Sequence, residues 1–294
     1  MRFLRYFFVM VLLSSFSFAS IAKSGFPMVL VDKSAHKLFL AEAEEGKIEI
    51  KKSYHVTLGK ALGDKIVEND LKTPEGVYFF TTKLTPPSLK KKFGVMALLT
   101  NYPNPIDRLE GRTGYDIMLH ATDDPSRLKR DYDSEGCVVI DNPEILEISK
   151  SVTLGLTPFV IYPELKEQFL ESDSNPEVRA AFQSWIDAWR GKDIDSYIGA
   201  YDEKFSYNGM NLKSYKQYKN NLNKKYSEIK IDVQKIKYIY HPKYNVVMFT
   251  QKYESKLKGG GKGFSSIGTK MVYFVKEGDK YKIASEHYTP TTDI

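Results

Sequence analysis

The 294 residues contain one cysteine, in the stretch SEGCVVIDN from Ser134 to Asn142. Seventeen positions before it stands His120, at the end of the apolar run YDIMLHA. Imidazole beside a thiol favours thiolate, the nucleophilic form. Gly136, directly before Cys137, permits a tight turn with positive φ. Such a turn would expose the sulfur and aim backbone N–H groups at one point, as an oxyanion site requires. Ser134 puts a hydroxyl in the same turn. A lone thiol is more often a buried, inert side chain, and one Cys/His pair arises easily by chance. The other histidines, His36, His55, His241 and His287, occupy strand-like or turn contexts and read as structural or solvated.

The N-terminus bears on where this thiol works. MRFLRYFFVMVLLSSFSFAS has two early arginines, an apolar run from Tyr6 to Leu13, and small residues around Ser17 and Ala19. That order is a secretory signal peptide, expected to span residues 1–22. The apolar run is shorter than the about 20 residues a membrane span needs, and no cysteine stands near the cleavage point to carry a lipid. The expectation is a periplasmic protein with no membrane anchor after cleavage. Oxidising compartments favour paired cysteines or none, so a single thiol there is either inert or used. The formal charge is +6, two units of it from Arg2 and Arg5. A mildly basic protein is attracted to anionic surfaces, the cell wall among them. There is no arginine-rich arm and no nucleic-acid motif.

Two domains must position these residues. In the first, MVLVD, HKLFLAE, KIEIKKSYHVTLG, TPEGVYFF, YDIMLHA, CVVI and TPFVIYP read as strands. DNPEILEISKSV reads as a helix capped by Asn142, with Pro143 at its first position and Ile145, Leu146 and Ile148 toward the core. Around Ser172 the chain turns polar, and Asn175 before Pro176 caps a second helix. Val178, Ala181, Phe182, Trp185, Ile186 and Trp189 mark one face of that helix. DIDSYIGAY and LKSYKQYKNNLNKKY suggest two more helices. Four strand-like runs follow: EIKIDVQKIKYIY, NVVMFTQKYES, TKMVYFVKE and KYKIASEHY. The division is a β-rich domain over 23–172 and an α+β domain over 173–294.

The sequence His-Ala-Thr followed by Ser-Glu-Gly-Cys-Val, with sixteen residues between the histidine and the cysteine, resembles the active-site signature of the L,D-transpeptidase (YkuD) family. TPEGVYFF resembles the Thr-Pro-x-Gly-x-Phe segment of that family, and the likeness runs over about residues 27–163. From Asn175 to Pro290 the element order resembles the NTF2-like (SnoaL-like) fold, a cone-shaped curved sheet around helices. The pairing is similar to peptidoglycan L,D-carboxypeptidases and transpeptidases that affect cell shape. The resemblance implies that Cys137 attacks the L-centre carbonyl of meso-diaminopimelate in a stem tetrapeptide. D-alanine leaves, and the acyl group passes to an amine or to water. It gives His120 the proton transfers, the Gly136 and Cys137 N–H groups the oxyanion, and Ser134 the support of the loop. It implies no cofactor and no metal.

Two positions depart from the family pattern. Ala121 follows the histidine where glycine is usual, and Val139 stands where most members carry an arginine associated with the pocket. Arg127, Arg130 or Arg112 could supply that charge, or be loop charges on a solvated face. Arg127, Arg130 and Tyr132 are the candidate substrate contacts. A catalytically inactive wall-binding module is the alternative, favoured by Val139 and opposed by the joint presence of His120, Ser134, Gly136 and Cys137. A thiol peroxidase or redox sensor would usually want a resolving cysteine. There is no CxxC or HExxH for zinc, and KGGGKGFSS lacks the Gly-Lys-Ser/Thr ending of a phosphate loop and lies between strands. The signature is complete before Ser172, so the second domain is expected to position substrate and supply no chemistry. Its Lys213, Lys216, Lys219, Lys224 and Lys225 are either a binding surface or a solvated helix face. Trp185, Trp189, Tyr197, Tyr201 and His287 could line a pocket, although aromatics at helical spacing are usually core.

Overall fold

A computed structural model describes residues 25–44, 46–171 and 175–291. The expected signal peptide and the expected boundary at Ser172 lie outside the described residues. The first region holds β1 (Phe26–Asp32), β2 (Lys37–Glu44), β3 (Lys47–His55), β4 (Leu58–Gly59), β5 (Gly76–Leu84), β6 (Ala97–Thr100), α1 (Pro105–Leu109), β7 (Met118–His120), β8 (Tyr132–Ser134), β9 (Val138–Val139), α2 (Asn142–Ile148) and β10 (Pro158–Tyr162). The second holds α3 (Pro176–Arg190), α4 (Ile194–Gly199), β11 (Ser206–Tyr207), β12 (Met210–Asn211), α5 (Leu212–Lys225), β13 (Tyr226–Ile239), β14 (Asn245–Leu257), β15 (Lys262–Glu277) and β16 (Lys280–Pro290).

Eight strands form one sheet in the order β3-β2-β1-β10-β5-β6-β7-β9, and β13 to β16 form an antiparallel sheet in sequence order. The chain is therefore layered. Val29, Val31, Tyr78, Phe80, Phe159 and Ile161 point to one side of the large sheet, into a core closed by Ile145 and Ile148 of α2. Their alternates, Met28, Leu30, Val77, Phe79, Val160 and Tyr162, point the other way, as strand geometry requires. There they pack on Val246, Met248, Met271, Tyr273 and Ala284 of the second sheet. The opposite face of that second sheet, including Val247, Phe249, Val272 and Phe274, packs on Phe182, Trp185 and Trp189 of α3. Two sheets thus share one apolar layer. The continuous apolar spelling of MVLVD and PFVIY follows from burial on both faces.

The helices mostly follow their spacing. α2 departs from expectation at two points. Its N-cap is Asp141, with Glu144 completing a capping box, so Asn142 is already inside the helix. Leu146 is 44% exposed, because only the Ile145 and Ile148 face reaches the core. The freed Asn142 side chain does something else. Its Nδ2 donates to Thr122 O at 2.7 Å, and its Oδ1 accepts from Val95 N at 2.9 Å. It stitches the segment after His120 to the segment carrying Lys92 and Phe93. KGGGKGFSS contains the turn from β14 into β15 and the first residues of β15.

Candidate active site

The sheet brings His120 and Cys137 together. β7 and β9 are adjacent and parallel, with Leu119 opposite Val138 and His120 opposite Val139. Leu119 and Val138 face the core. Met118, His120, Cys137 and Val139 must therefore project from the other face. Both His120 and Cys137 line a cleft of about 680 Å³ on that face.

The turn before the cysteine is built as its sequence suggests. Gly136 sits at φ +125°, a conformation that L side chains rarely adopt. A Cβ there would lie 2.8 Å from the Lys72 carbonyl oxygen and 3.2 Å from Ile117 Cδ1. Ser134 is buried and ties the turn: its Oγ donates to Cys137 O at 2.6 Å and accepts from Gly136 N at 3.1 Å. In this state the Gly136 N–H is engaged by the Ser134 hydroxyl.

Cys137 is half-buried, packed against the cluster of Leu89, Ala97 and Met118. Its thiol donates to Asp116 O at 3.5 Å. Burial pushes the thiol up to about 11, with the Met118 N–H and Lys92 pulling the other way and Asp116 and Glu135 adding to the rise. His120 is 2% exposed, and its Nδ1 lies 2.5 Å from Ala121 O. A carbonyl can only accept, so Nδ1 carries the proton and Nε2 is the free base. Burial lowers His120 to about 4; the Ala121 contact opposes this, and the charges of Arg127 and Lys92 reinforce it. The Phe93 ring holds the imidazole edge-on, 4.8 Å between centroids. The resting pair is therefore thiol plus neutral imidazole, each engaged with a backbone carbonyl, and not a preformed ion pair.

The departures from the family pattern find their places here. Ala121 lies outside the positive-φ residues, so a side chain costs it no backbone strain. Room for its methyl comes from Gly94, where an added Cβ would meet Ala121 Cβ at 2.7 Å. Val139 is fully buried and forms a two-bond bridge with Thr57. Arg127 lines the cleft, with Nε held 2.7 Å from Asp133 Oδ2. Arg130 is exposed, pairs with Asp133 at 3.2 Å, and is not among the cleft-lining residues. Arg112 lies elsewhere, bound to Asp64 at 2.7 Å. Tyr132 lines a different hollow with Lys33, Leu58 and Thr73, its ring edge-on to His36 at 4.6 Å. Lys92 was not singled out from the sequence. It lines the cleft, its Nζ is 5.0 Å from the Phe93 ring, and its charge acts on both Cys137 and His120. Its only sequence signal was a run of three lysines, which reads as solvated surface.

In the second domain Trp185, Tyr197 and Tyr201 are core, Trp189 borders a hollow of about 640 Å³, and His287 is exposed elsewhere. Of the lysines on α5, Lys216 pairs with Asp195 at 2.7 Å. Lys219 turns inward over the rings of Trp189, Tyr197 and Tyr215 at 4.9 to 5.2 Å. No group of three or more His, Cys, Asp or Glu suited to a metal occurs among the described residues. No helix among them is long and apolar enough to cross a membrane.

Residues 27–161 match the L,D-transpeptidase (YkuD) catalytic domain, and residues 177–287 match the Cds6 C-terminal NTF2-like domain. The chain belongs to the L,D-transpeptidase (YkuD) family and carries an NTF2-like domain after the catalytic one. Among solved structures it is similar to Bd1075 of Bdellovibrio bacteriovorus, at 32% identity and a TM-score of 0.77, over 92% of this chain and 95% of that one. It shares its fold with Pgp2, a helical cell shape determining protein of Campylobacter jejuni, at 24% identity and a TM-score of 0.70, over 90% and 92% of the two chains. No curated protein sequence matches it.

Proposed function

We propose that the protein is an exported, periplasmic cysteine acyltransferase acting on peptidoglycan stem peptides. The observation that supports this most is the placement of His120 and Cys137 on one face of adjacent strands, opening on one cleft. The thiol leaves Asp116 O, and His120 Nε2 takes its proton as Sγ attacks the L-centre carbonyl of meso-diaminopimelate. With Gly136 N engaged, the Cys137 N–H is the donor for the developing oxyanion. The C–N bond breaks, the imidazolium returns its proton to the amine of D-alanine, and a thioester remains. Water then gives the trimmed tripeptide, or an amine of another stem gives a cross-link. Lys92 and Arg127 supply positive charge for a substrate carboxylate, where most of the family uses the position of Val139. No step needs a cofactor. By analogy with what is named for Pgp2, trimming of this kind would affect cell shape.

The test is incubation with purified disaccharide tetrapeptides, with products resolved by mass. Release of D-alanine supports the reading, and the fate of the acyl group assigns the acceptor. The wall-binding alternative keeps one observation in its favour: the Cys137 thiol is hydrogen-bonded to Asp116 O and not to His120, in surroundings whose burial disfavours thiolate. It predicts binding to sacculi with no D-alanine released.

A further inference from the structure

We infer that Lys243, at the tip of the hairpin joining β13 and β14 in the second domain, is a positioning residue for the Cys137 loop. The inference rests on Cys137 being the nucleophile. Lys243 Nζ reaches across to the first domain, 2.9 Å from Asp64 Oδ2 and 3.0 Å from Glu75 O. Asp64 is a junction. It also pairs with Arg112 at 2.7 Å, and its Oδ1 accepts from Glu75 N at 2.8 Å. Arg112 in turn donates to Lys65 O. Lys243 and Asp64 therefore pin both ends of the segment 64–75.

That segment is the wall of the cleft and the floor of the catalytic turn. Lys65, Glu68 and Asn69 line the cleft, together with Lys60. Lys60 N donates to Ser134 O at 2.9 Å, Ala61 N donates to Leu71 O at 3.1 Å, and Gly59 N donates to Thr73 Oγ1 at 2.9 Å. The Lys72 carbonyl abuts Gly136 so closely that only glycine fits. A shift at Asp64 is thus passed through 64–75 to the residues holding Ser134 and Gly136. The hairpin tip is itself fixed: His241 bonds to Ile161 O at 3.0 Å, and its Nδ1 accepts from Lys243 N at 3.2 Å. Placement errors of about an ångström at a reacting group cost on the order of a hundredfold in rate. A partial loosening here should cost less.

The competing account is plain adhesion between domains, which would lower stability and leave Cys137 unchanged. The experiment uses the full chain with Lys243→Met, Lys243→Arg and Asp64→Asn. Each is measured well below its own unfolding midpoint, so that rates refer to folded protein. Two readouts are taken: alkylation of Cys137 by iodoacetamide against pH, and kcat and KM on disaccharide tetrapeptide. Loosening the turn admits water to a thiol that burial holds high, so alkylation at neutral pH should speed up. Turnover should move the opposite way, with kcat down about tenfold and KM little changed. Lys243→Arg should restore both, and Asp64→Asn should resemble Lys243→Met. An alkylation profile and kcat matching the unmodified protein in Lys243→Met, with only the unfolding midpoint lowered, overturns the inference. If the unmodified protein releases no D-alanine, the proposed function fails instead, and the alkylation profiles still decide whether Lys243 positions the loop.

Discussion

His120 and Cys137 project from the same face of two adjacent parallel strands, two positions out of register, although seventeen positions separate them in sequence. Parallel neighbours need a crossover, and here the crossover is the charged loop carrying Arg127 and Tyr132. The loop length follows from the topology and leaves the two side chains free to meet over the cleft. The first prediction concerns the sulfur. Cys137→Ala should release no detectable D-alanine from tetrapeptide. Its unfolding midpoint should fall by only a few degrees, because a half-buried sulfur contributes about 1 kcal/mol or less. Undiminished turnover in a verified Cys137→Ala preparation would refute the nucleophile.

The second prediction is the pH profile. A preformed thiolate–imidazolium pair would give an acid limb set by the thiol. Here His120 stands at about 4 and Cys137 at about 11, so the pair is thiol plus imidazole across the range between. kcat/KM should fall only as pH drops toward about 4, where the base becomes protonated, with no inflection near 6.5. His120→Asn should cost on the order of a hundredfold or more while keeping the ring's place. A well-defined limb at 6.5 would show that the free enzyme's base is not this buried imidazole.

The candidate pair, His120 and Cys137, could be picked out of the sequence because its motifs are local: a glycine before a lone cysteine, and a histidine ending a short strand. Asn142 and Asp141 show how neighbouring residues compete. Both are good caps, and the choice fell to Asp141 because Glu144 lies three residues on to close the box. β6 is only four residues, too short to show a period. Lys92 could not be told from Lys90 and Lys91 without the Phe93 ring to place it. Burial on both faces of β1, β5 and β10 was spelled in their unbroken apolar runs, but such a run does not name what covers the second face.

Gly136 gives the third prediction. Gly136→Ala combines a strained φ with a backbone oxygen 2.8 Å from the new methyl. Neither can be relieved by a side-chain rotation. Destabilisation of about 1–3 kcal/mol is expected, with activity lost even at temperatures where the variant is folded. Chemical denaturation and D-alanine release check the two halves separately. An active Gly136→Ala protein would mean the turn tolerates a different path.

Acid should loosen the domain contact. His241 is 3% exposed and burial lowers it to about 3 from the usual 6.5. Its folded value is below its unfolded one, so its contribution is complete above pH 6.5 and is lost as pH falls toward about 3. Between pH 6.5 and 4 that amounts to about 3 kcal/mol, at about 1.4 kcal/mol per pH unit. Protonation also costs the Lys243 N–H its acceptor, Nδ1. Asp107, buried and raised to about 6, pulls the other way in the same range. The measurement is therefore a difference: urea midpoints of the unmodified protein and His241→Gln from pH 7 to 4. The gap between them should narrow or reverse as pH falls, and a constant gap would count against the assignment.

The last prediction is that the catalytic domain does not stand alone. Its signature ends before Ser172, which suggests that a chain cut after Pro163 should keep a reactive Cys137. The layering argues otherwise. Met28, Leu30, Val77, Phe79, Ile106, Val160 and Tyr162 all bury against the second domain's sheet. Fully burying one such side chain is worth about 1.5–3 kcal/mol. Uncovering them together forfeits on the order of 10 kcal/mol, comparable with the 5–15 kcal/mol that holds a typical domain folded. Polar partners go as well. Tyr244 Oη accepts from Val77 N at 2.8 Å and from Asn104 Nδ2 at 2.5 Å, and His241 serves Ile161 O. Without them, buried backbone groups of β5 and β10 lose their protein partners, although water could reach them once the face is open. Residues 25–163 expressed alone should therefore be insoluble or bind a hydrophobic dye, with Cys137 alkylating at the rate of an unfolded control. Milder evidence comes from Tyr244→Phe in the full chain, which removes one hydroxyl from two donors and should cost about 1–3 kcal/mol without touching the cleft. A soluble, cooperatively unfolding 25–163 fragment with native Cys137 reactivity would show that the shared apolar layer is dispensable, and the second domain would then return to the role its sequence suggested, that of holding substrate.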